Sequence, residues 1–254
     1  MAQIISVLNQ KGGVGKTTTT INLAAYLAKL GKSVLIVDAD PQGNATSGLG
    51  IDKQKIESST YEVLLGLSLP EQGIVPTEFP DISILPANAN LASAETELAN
   101  KTGREGMLNT ALEGLQYDYV LIDCPPALGL ITINAMASSQ WLLIPVQAEY
   151  YALEGLGQLI EVFGRVKQSI NPHINVLGVI VTMFDSRNTL AEQVVKELKQ
   201  HFGDSVFDTK IPRNVRLAEA PSYGQPISEH DKWSKGARAY KQFAKEVVKR
   251  VDNS

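Results

Sequence analysis

The chain has 254 residues, of which 44% are hydrophobic and 20% charged, a composition within the range of ordinary folded domains. A chain of this length buries roughly three-quarters of the surface it exposes when unfolded, so it needs no covalent or metal staple; its single cysteine, Cys124, and three scattered histidines exclude an internal disulfide and a Cys/His metal cluster, and point to a reducing compartment. The net charge of −4 gives no general affinity for polyanions, and no stretch approaches the ~18 consecutive apolar residues of a membrane span.

Short apolar runs alternate with helical patterns along the chain. The runs are Ile4–Leu8, Val34–Val37, Ile82–Leu85, Tyr119–Ile122, Trp141–Val146, Val176–Met183 and Val206–Ile211. They are apolar throughout, which predicts strands covered on both faces. Helices are expected at Lys16–Leu30, Leu91–Leu98, Gly106–Leu115, Leu130–Ala137, Ala152–Ile170, Leu190–His201 and Gly236–Val251. Residues 50–80 are the least regular part and read as an insertion with a short helix near Tyr61–Leu65. Strand–helix alternation predicts an α/β fold: one doubly wound, mostly parallel sheet with helices on both faces, formed by residues 1–254 as a single domain. Ligands of such sheets sit at the carboxyl ends of the strands, so the residues just after each run are the candidates for chemistry. No secretion signal is expected, because strand-like sequence starts at Gln3.

After the first run comes Asn9-Gln10-Lys11-Gly12-Gly13-Val14-Gly15-Lys16-Thr17-Thr18, directly before a helix. Glycines let backbone N–H groups turn around phosphate oxygens, and the helix N-terminus adds partial positive charge. Lys16 suits the β- and γ-phosphates of a nucleotide, and the Thr17 hydroxyl suits Mg²⁺. The general phosphate-loop pattern has glycine where this chain has Gln10, so the loop is a variant. Asp38 and Asp40 close the second strand and Asp123 the fourth run. Carboxylates at strand ends beside a phosphate loop suit magnesium and water, although any one of them also reads as a turn or helix cap. Cys124 reads as a small buried hydrophobe rather than a nucleophile.

The run Lys-Gly-Gly-Val-Gly-Lys-Thr-Thr resembles the deviant Walker A motif of the ParA/MinD P-loop ATPases. The resemblance continues through Val37-Asp38-Ala39-Asp40-Pro41-Gln42-Gly43-Asn44, Leu121-Ile122-Asp123-Cys124-Pro125-Pro126, the segment from Pro145 to Gly155, and Ile211-Pro212-Arg213-Asn214-Val215-Arg216-Leu217, and it is nearest to the short ParA/Soj proteins. It implies an ATPase using ATP and Mg²⁺, with Lys11, Lys16 and Asp40 as its catalytic residues. Lys11 would reach across a homodimer to the partner's ATP, where the residue alone reads equally as a surface lysine. Nucleotide contacts are implied for Lys11, Gly12, Gly13, Val14, Gly15, Lys16, Thr17, Thr18, Pro212 and Asn214. Asp40 would orient the attacking water, Thr17 would bind magnesium and Asp123 would hold it through water. Asp38 reads as structural.

The same resemblance implies nonspecific DNA binding by Arg187 and Arg216, cycling controlled by a ParB-type activator, and a cytoplasmic, nucleoid-associated protein that positions chromosome or plasmid origins. The charge distribution agrees in sign: residues 1–186 hold 10 Lys+Arg against 18 Asp+Glu, and residues 187–254 hold 13 against 9. Lysines 196, 199, 232, 235, 241, 245 and 249, with Arg250, are candidates to enlarge the basic patch. No operator-binding helix-turn-helix domain is expected. Two other classes fit the loop. A MinD-like ATPase that cycles on membranes would use a C-terminal amphipathic helix, but Tyr240, Phe243, Ala244, Val247, Val248 and Val251 read more simply as a core-facing stripe, so no stable membrane association is expected. A metabolic P-loop ligase would need neither Lys11 nor the two arginines, and the lone Cys124 disfavours an iron–sulfur ATPase with two cysteines per subunit.

Overall fold

The structure, a computed structural model, describes residues 2–149 and 154–253. Residues 150–153 of the motif running from Pro145 to Gly155, and the predicted helix start at Ala152, lie outside the described residues. Among the described residues, eight strands form one sheet: β1 (Gln3–Val7), β2 (Val34–Asp38), β3 (Val75–Pro76), β4 (Ile82–Leu85), β5 (Tyr119–Asp123), β6 (Trp141–Gln147), β7 (Asn175–Phe184) and β8 (Val206–Pro212). Their order is β3-β4-β2-β5-β1-β6-β7-β8. All neighbours pair in parallel except the short edge strand β3, which pairs antiparallel with β4.

Parallel strands need crossovers, and the crossovers place helices on both faces. Each central strand therefore buries both sets of side chains. On β2, Leu35 and Val37 enter one core while Val34 and Ile36 enter the other, and β5 splits in the same way. The first helix, Lys16–Ala28, and the C-terminal helix, Lys235–Asp252, cover one face. Helices Leu130–Ser138, Glu154–Ser169 and Thr189–Phe202 cover the other. The stripe Tyr240, Phe243, Ala244, Val247 and Val251 is buried in the core, with Val248 packed at its margin. Among the described residues, no helix is long and apolar enough to cross a membrane.

Each predicted strand is present. The predicted helix at Leu91–Leu98 is a 3₁₀ turn, Ala89–Ser93, followed by a short helix, Ala94–Leu98. The helix predicted at Gly106–Leu115 is limited to Met107–Leu112. In the irregular segment the expected short helix spans Thr60–Leu64, where the Ser59 hydroxyl and the Glu62 carboxylate form a reciprocal cap. Strand β3 follows in that segment and is new to the reading; two residues, one of them proline, leave no alternation to detect.

Candidate functional site: a phosphate loop at the sheet switch point

β1 lies between β5 and β6, and the chain winds outward from it in both directions. That point is where the carboxyl ends of the strands open a crevice. The loop after β1 fills it and runs into the helix Lys16–Ala28. Gly13 and Gly15 adopt positive φ angles of 74° and 87°, which a side chain would strain. At Gly12 and Gly13 an added Cβ would meet nothing within 4 Å, so the loop faces open space of the kind a phosphate needs.

Several bonds hold the loop. The Asn9 amide donates to the Pro145 carbonyl at 2.7 Å and its oxygen accepts the Lys11 N–H at 2.9 Å. The Thr182 hydroxyl, on β7, donates to the Val14 carbonyl at 2.8 Å. Gln10, where the general pattern has glycine, donates to Gln158 Oε1 at 2.6 Å and ties the loop to the helix Glu154–Ser169.

Lys16 is buried, and its ammonium donates to the Lys11 carbonyl at 3.2 Å. Burial pulls its pKa below the usual lysine range, and the charge of Asp123 opposes that shift. A buried cation satisfied by one backbone oxygen retains capacity for an anion. Asp38 and Asp123 stand opposite one another at the ends of β2 and β5, both fully buried. Asp123 accepts the Thr17 hydroxyl at 2.7 Å and the Thr20 hydroxyl at 3.2 Å. Burial pushes the Asp123 carboxyl well above the usual carboxylate range, and Asp38 adds to the shift. A nearby dication would favour its charged form. Both Asp123 oxygens are already engaged, a geometry suited to holding magnesium through water, while the donated Thr17 hydroxyl keeps its lone pairs for direct coordination.

Asp38 accepts Thr46 N–H at 2.8 Å, the Thr46 hydroxyl at 2.7 Å and Asp40 N–H at 3.2 Å, so it organises the turn after β2. Asp40 is nearly buried, and its Oδ1 accepts Gln42 N–H at 2.9 Å. Lys11 is half-exposed, and its ammonium lies 3.3 Å from Glu149, which also faces Arg213 at 4.0 Å. Exposed pairs of this kind contribute little and exchange easily.

Arg187 follows β7 and Arg216 follows β8, and these strands are neighbours. Both arginines are exposed, and both face local carboxylates. Arg187 grips Asp185 with Nε at 2.9 Å and Nη2 at 2.7 Å, holding the Asp185 carboxyl far below the usual range. Arg216 Nη1 is 2.9 Å from Glu219, and its Nε is 3.7 Å from Asp231. Pro212 ends β8 and Asn214 caps the short helix Val215–Glu219 through its Oδ1, so any base contact by Asn214 falls to the other end of its amide. β8 is three strands from β1, about 14 Å at the usual strand spacing.

The candidate basic residues do not share one patch. Arg250 turns inward, donating to the carbonyls of Leu177, Ser205 and Val206 at 3.0–3.1 Å. Lys235 and Lys249 are about 21 Å apart along their helix. Asn9 and Glu149 stood inside quoted motifs without an assigned role, and Thr20 and Thr182 were missed as ordinary polar residues. Only Thr20 carried a signal, one turn after Lys16 on the helix face toward β5.

Comparison with known proteins places this geometry in a lineage. A family model described as an AAA domain matches residues 2–176. Over 250 residues the chain is 51% identical to the sporulation initiation inhibitor protein Soj of Bacillus subtilis (strain 168), covering 98% of this chain and 99% of that protein. Identity to the chromosome partitioning protein ParA of Caulobacter vibrioides (strain NA1000 / CB15N) is 46%, covering 98% and 94%. Among solved structures, cobyrinic acid a,c-diamide synthase from Mycobacterium smegmatis, with bound ADP and magnesium, superposes with a TM-score of 0.87 at 37% identity, covering 99% and 96%. The phosphate loop, the strand-end aspartates and identity near one half along almost the whole chain have one common explanation: the chain belongs to the ParA/Soj family of deviant Walker A ATPases.

Proposed function

We propose that this protein is a partition ATPase in which ATP gates dimerisation and DNA binding. The observation that carries the reading is the position of Lys11. It stands at the entry of the phosphate loop, half-exposed, and among the described residues its ammonium pairs only with Glu149, weakly. A cation there is free to meet the phosphates of a facing protomer. Within the chain's own loop, the N–H groups of residues 12–18 cradle the phosphates and Lys16 balances their charge. Thr17 would coordinate Mg²⁺ and Asp123 would hold it through water, while Pro212 and Asn214 would flank the adenine. Magnesium would supply charge neutralisation for the phosphates. Asp40, fixed by its own turn, orients the hydrolytic water, and Lys11 of the facing protomer offsets charge that grows in the transition state.

Dimerisation pairs the two strand-end edges, doubling the number of arginines offered to DNA. Contacts from Arg187 and Arg216 go to phosphate and carry no sequence information. A ParB-type activator stimulates slow hydrolysis, the dimer opens, and the protein leaves the nucleoid. The cargo is an origin region of a chromosome or plasmid, and the cycle runs in the cytoplasm. Burial of the C-terminal apolar stripe speaks against the membrane-cycling alternative, because that stripe already has a partner. Light scattering tests the reading. ATP should convert wild-type protein to a dimer and leave Lys11→Ala monomeric. A Lys11→Ala protein that dimerises normally would remove the cross-protomer role.

A further inference from the structure

The surface around Arg216 is apolar as well as basic. Among the described residues, the two most exposed large hydrophobic side chains are Trp233 at 78% and Val215 at 71%, and Tyr223 is 67% exposed. Single exposed apolar residues are ordinary; here they border one charged network around Arg216. Asp231 accepts the Trp233 N–H on Oδ1 at 3.1 Å, and its Oδ2 lies 3.7 Å from Arg216 Nε. Glu219, paired with Arg216 at 2.9 Å, is 3.7 Å from His230 Nε2, and the Tyr223 ring lies against His230 with centroids 4.8 Å apart. The Lys232 ammonium sits 5.5 Å from the Trp233 ring centre, and Lys235 opens the C-terminal helix two residues later. Ser234 caps that helix by accepting Ala237 N–H at 3.1 Å, so the Trp233 loop is tied at both sides.

The chemistry of the group selects its partner. Aromatic rings interleaved with Lys and Arg suit a polymer of phosphates with sugar and base faces. A protein interface core excludes lysine. We propose that Trp233, flanked by Lys232 and Lys235, contacts DNA directly, adding an apolar contact with sugar or base to the phosphate contacts of Arg216. This inference rests on the DNA-binding reading above and deepens it.

Salt separates the two kinds of contact. A phosphate contact releases counterions and contributes about −0.9 to the slope of log K against log salt, whereas an apolar contact contributes none. The experiment titrates a random-sequence DNA duplex into full-length protein with ATP across a salt series. Trp233→Ala should weaken binding roughly five- to tenfold per protomer, the low end for one aromatic contact, with the slope unchanged. Lys232→Ala should reduce the slope by about 1 per protomer, about 2 for the dimer. Trp233→Phe should retain part of the affinity, and the tryptophan emission that it removes should be the part that DNA quenches. Wild-type affinity in Trp233→Ala, with wild-type protein binding DNA normally, would overturn this inference alone. Wild-type protein that fails to bind DNA in any nucleotide state would overturn the DNA reading beneath it. A Trp233 emission change on ATP-driven dimerisation without DNA would assign the ring to a second copy of the chain. A blue shift on phosphatidylglycerol vesicles, with none on DNA, would assign it to lipid. Either result contradicts the proposal.

Discussion

Buried charge concentrates at a few positions, and each carries a definite expectation. Lys16 lies among Asp123, Asp40 and the Lys11 carbonyl, where burial depresses its pKa. Lys16→Ala removes the cation that balances the phosphates and should abolish ATP binding in a calorimetric titration; near-normal affinity would refute the loop assignment. Asp38 does different work. Its bonds to Thr46 and Asp40 anchor the turn that presents Asp40. Asp38→Ala leaves buried donors without acceptors and should cost about 2–4 kcal/mol, read as a lowered midpoint in urea. An unchanged midpoint would mean that water replaces the carboxylate. Asp40→Ala should leave the fold intact and trap an ATP-bound dimer, because the water-orienting group is lost while the phosphate cradle stays; only monomer with ATP would contradict that role.

At the scale of elements, the C-terminal helix shows what patterning reveals and what it hides. The apolar spacing from Tyr240 to Val251 was legible in the sequence as a buried face, because helical periodicity reports burial directly. The fate of the cations between those residues was not legible, since a lysine and an arginine on adjacent positions look alike until the neighbouring backbone is known. Arg250 reaches three carbonyls at the starts of β7 and β8 and stacks 3.8 Å from the Phe207 ring centre, whereas Lys249 is exposed. Arg250→Ala should therefore destabilise the protein by about 2–3 kcal/mol, while Lys249→Ala should stay within about 0.5 kcal/mol. Equal midpoints for the two variants would contradict the inward role. The strands were legible because burial on both faces leaves unbroken apolar runs. Strand β3 and the short helices Val215–Glu219 and Ile227–His230 were not, because elements of two to five residues are set by their neighbours rather than by their own pattern. The phosphate loop was legible for a related reason: its chemistry needs contiguous residues. The supporting contacts from Pro145, Thr182 and Glu149 come from the distant strands β6 and β7 and the residues just after them, which only the sheet order brings to the loop.

The proposed function places two roles on one edge of the sheet. Phosphate loop, strand-end aspartates and both exposed arginines follow the carboxyl ends of the strands, so a partner docking across the loop also changes what is presented to DNA. Each arginine is held by a local carboxylate, which under this proposal would keep a single protomer's attraction for DNA small. In the proposed cycle two protomers joined by ATP would offer four such contacts, and linkage would convert weak sites into retention. Arg216→Glu should leave ATP-driven dimerisation intact and remove DNA retention; retention unchanged in that variant would take Arg216 out of the surface. The most direct test of the central claim measures binding to a random-sequence DNA duplex without nucleotide, with ADP and with ATP, over a salt series. Retention is expected only with ATP, with a slope of log K against log salt at least as steep as about −3.6, the share of the four arginine–phosphate contacts. Equal binding with ADP and ATP, or no binding in any state while ATP still drives dimerisation, would contradict it.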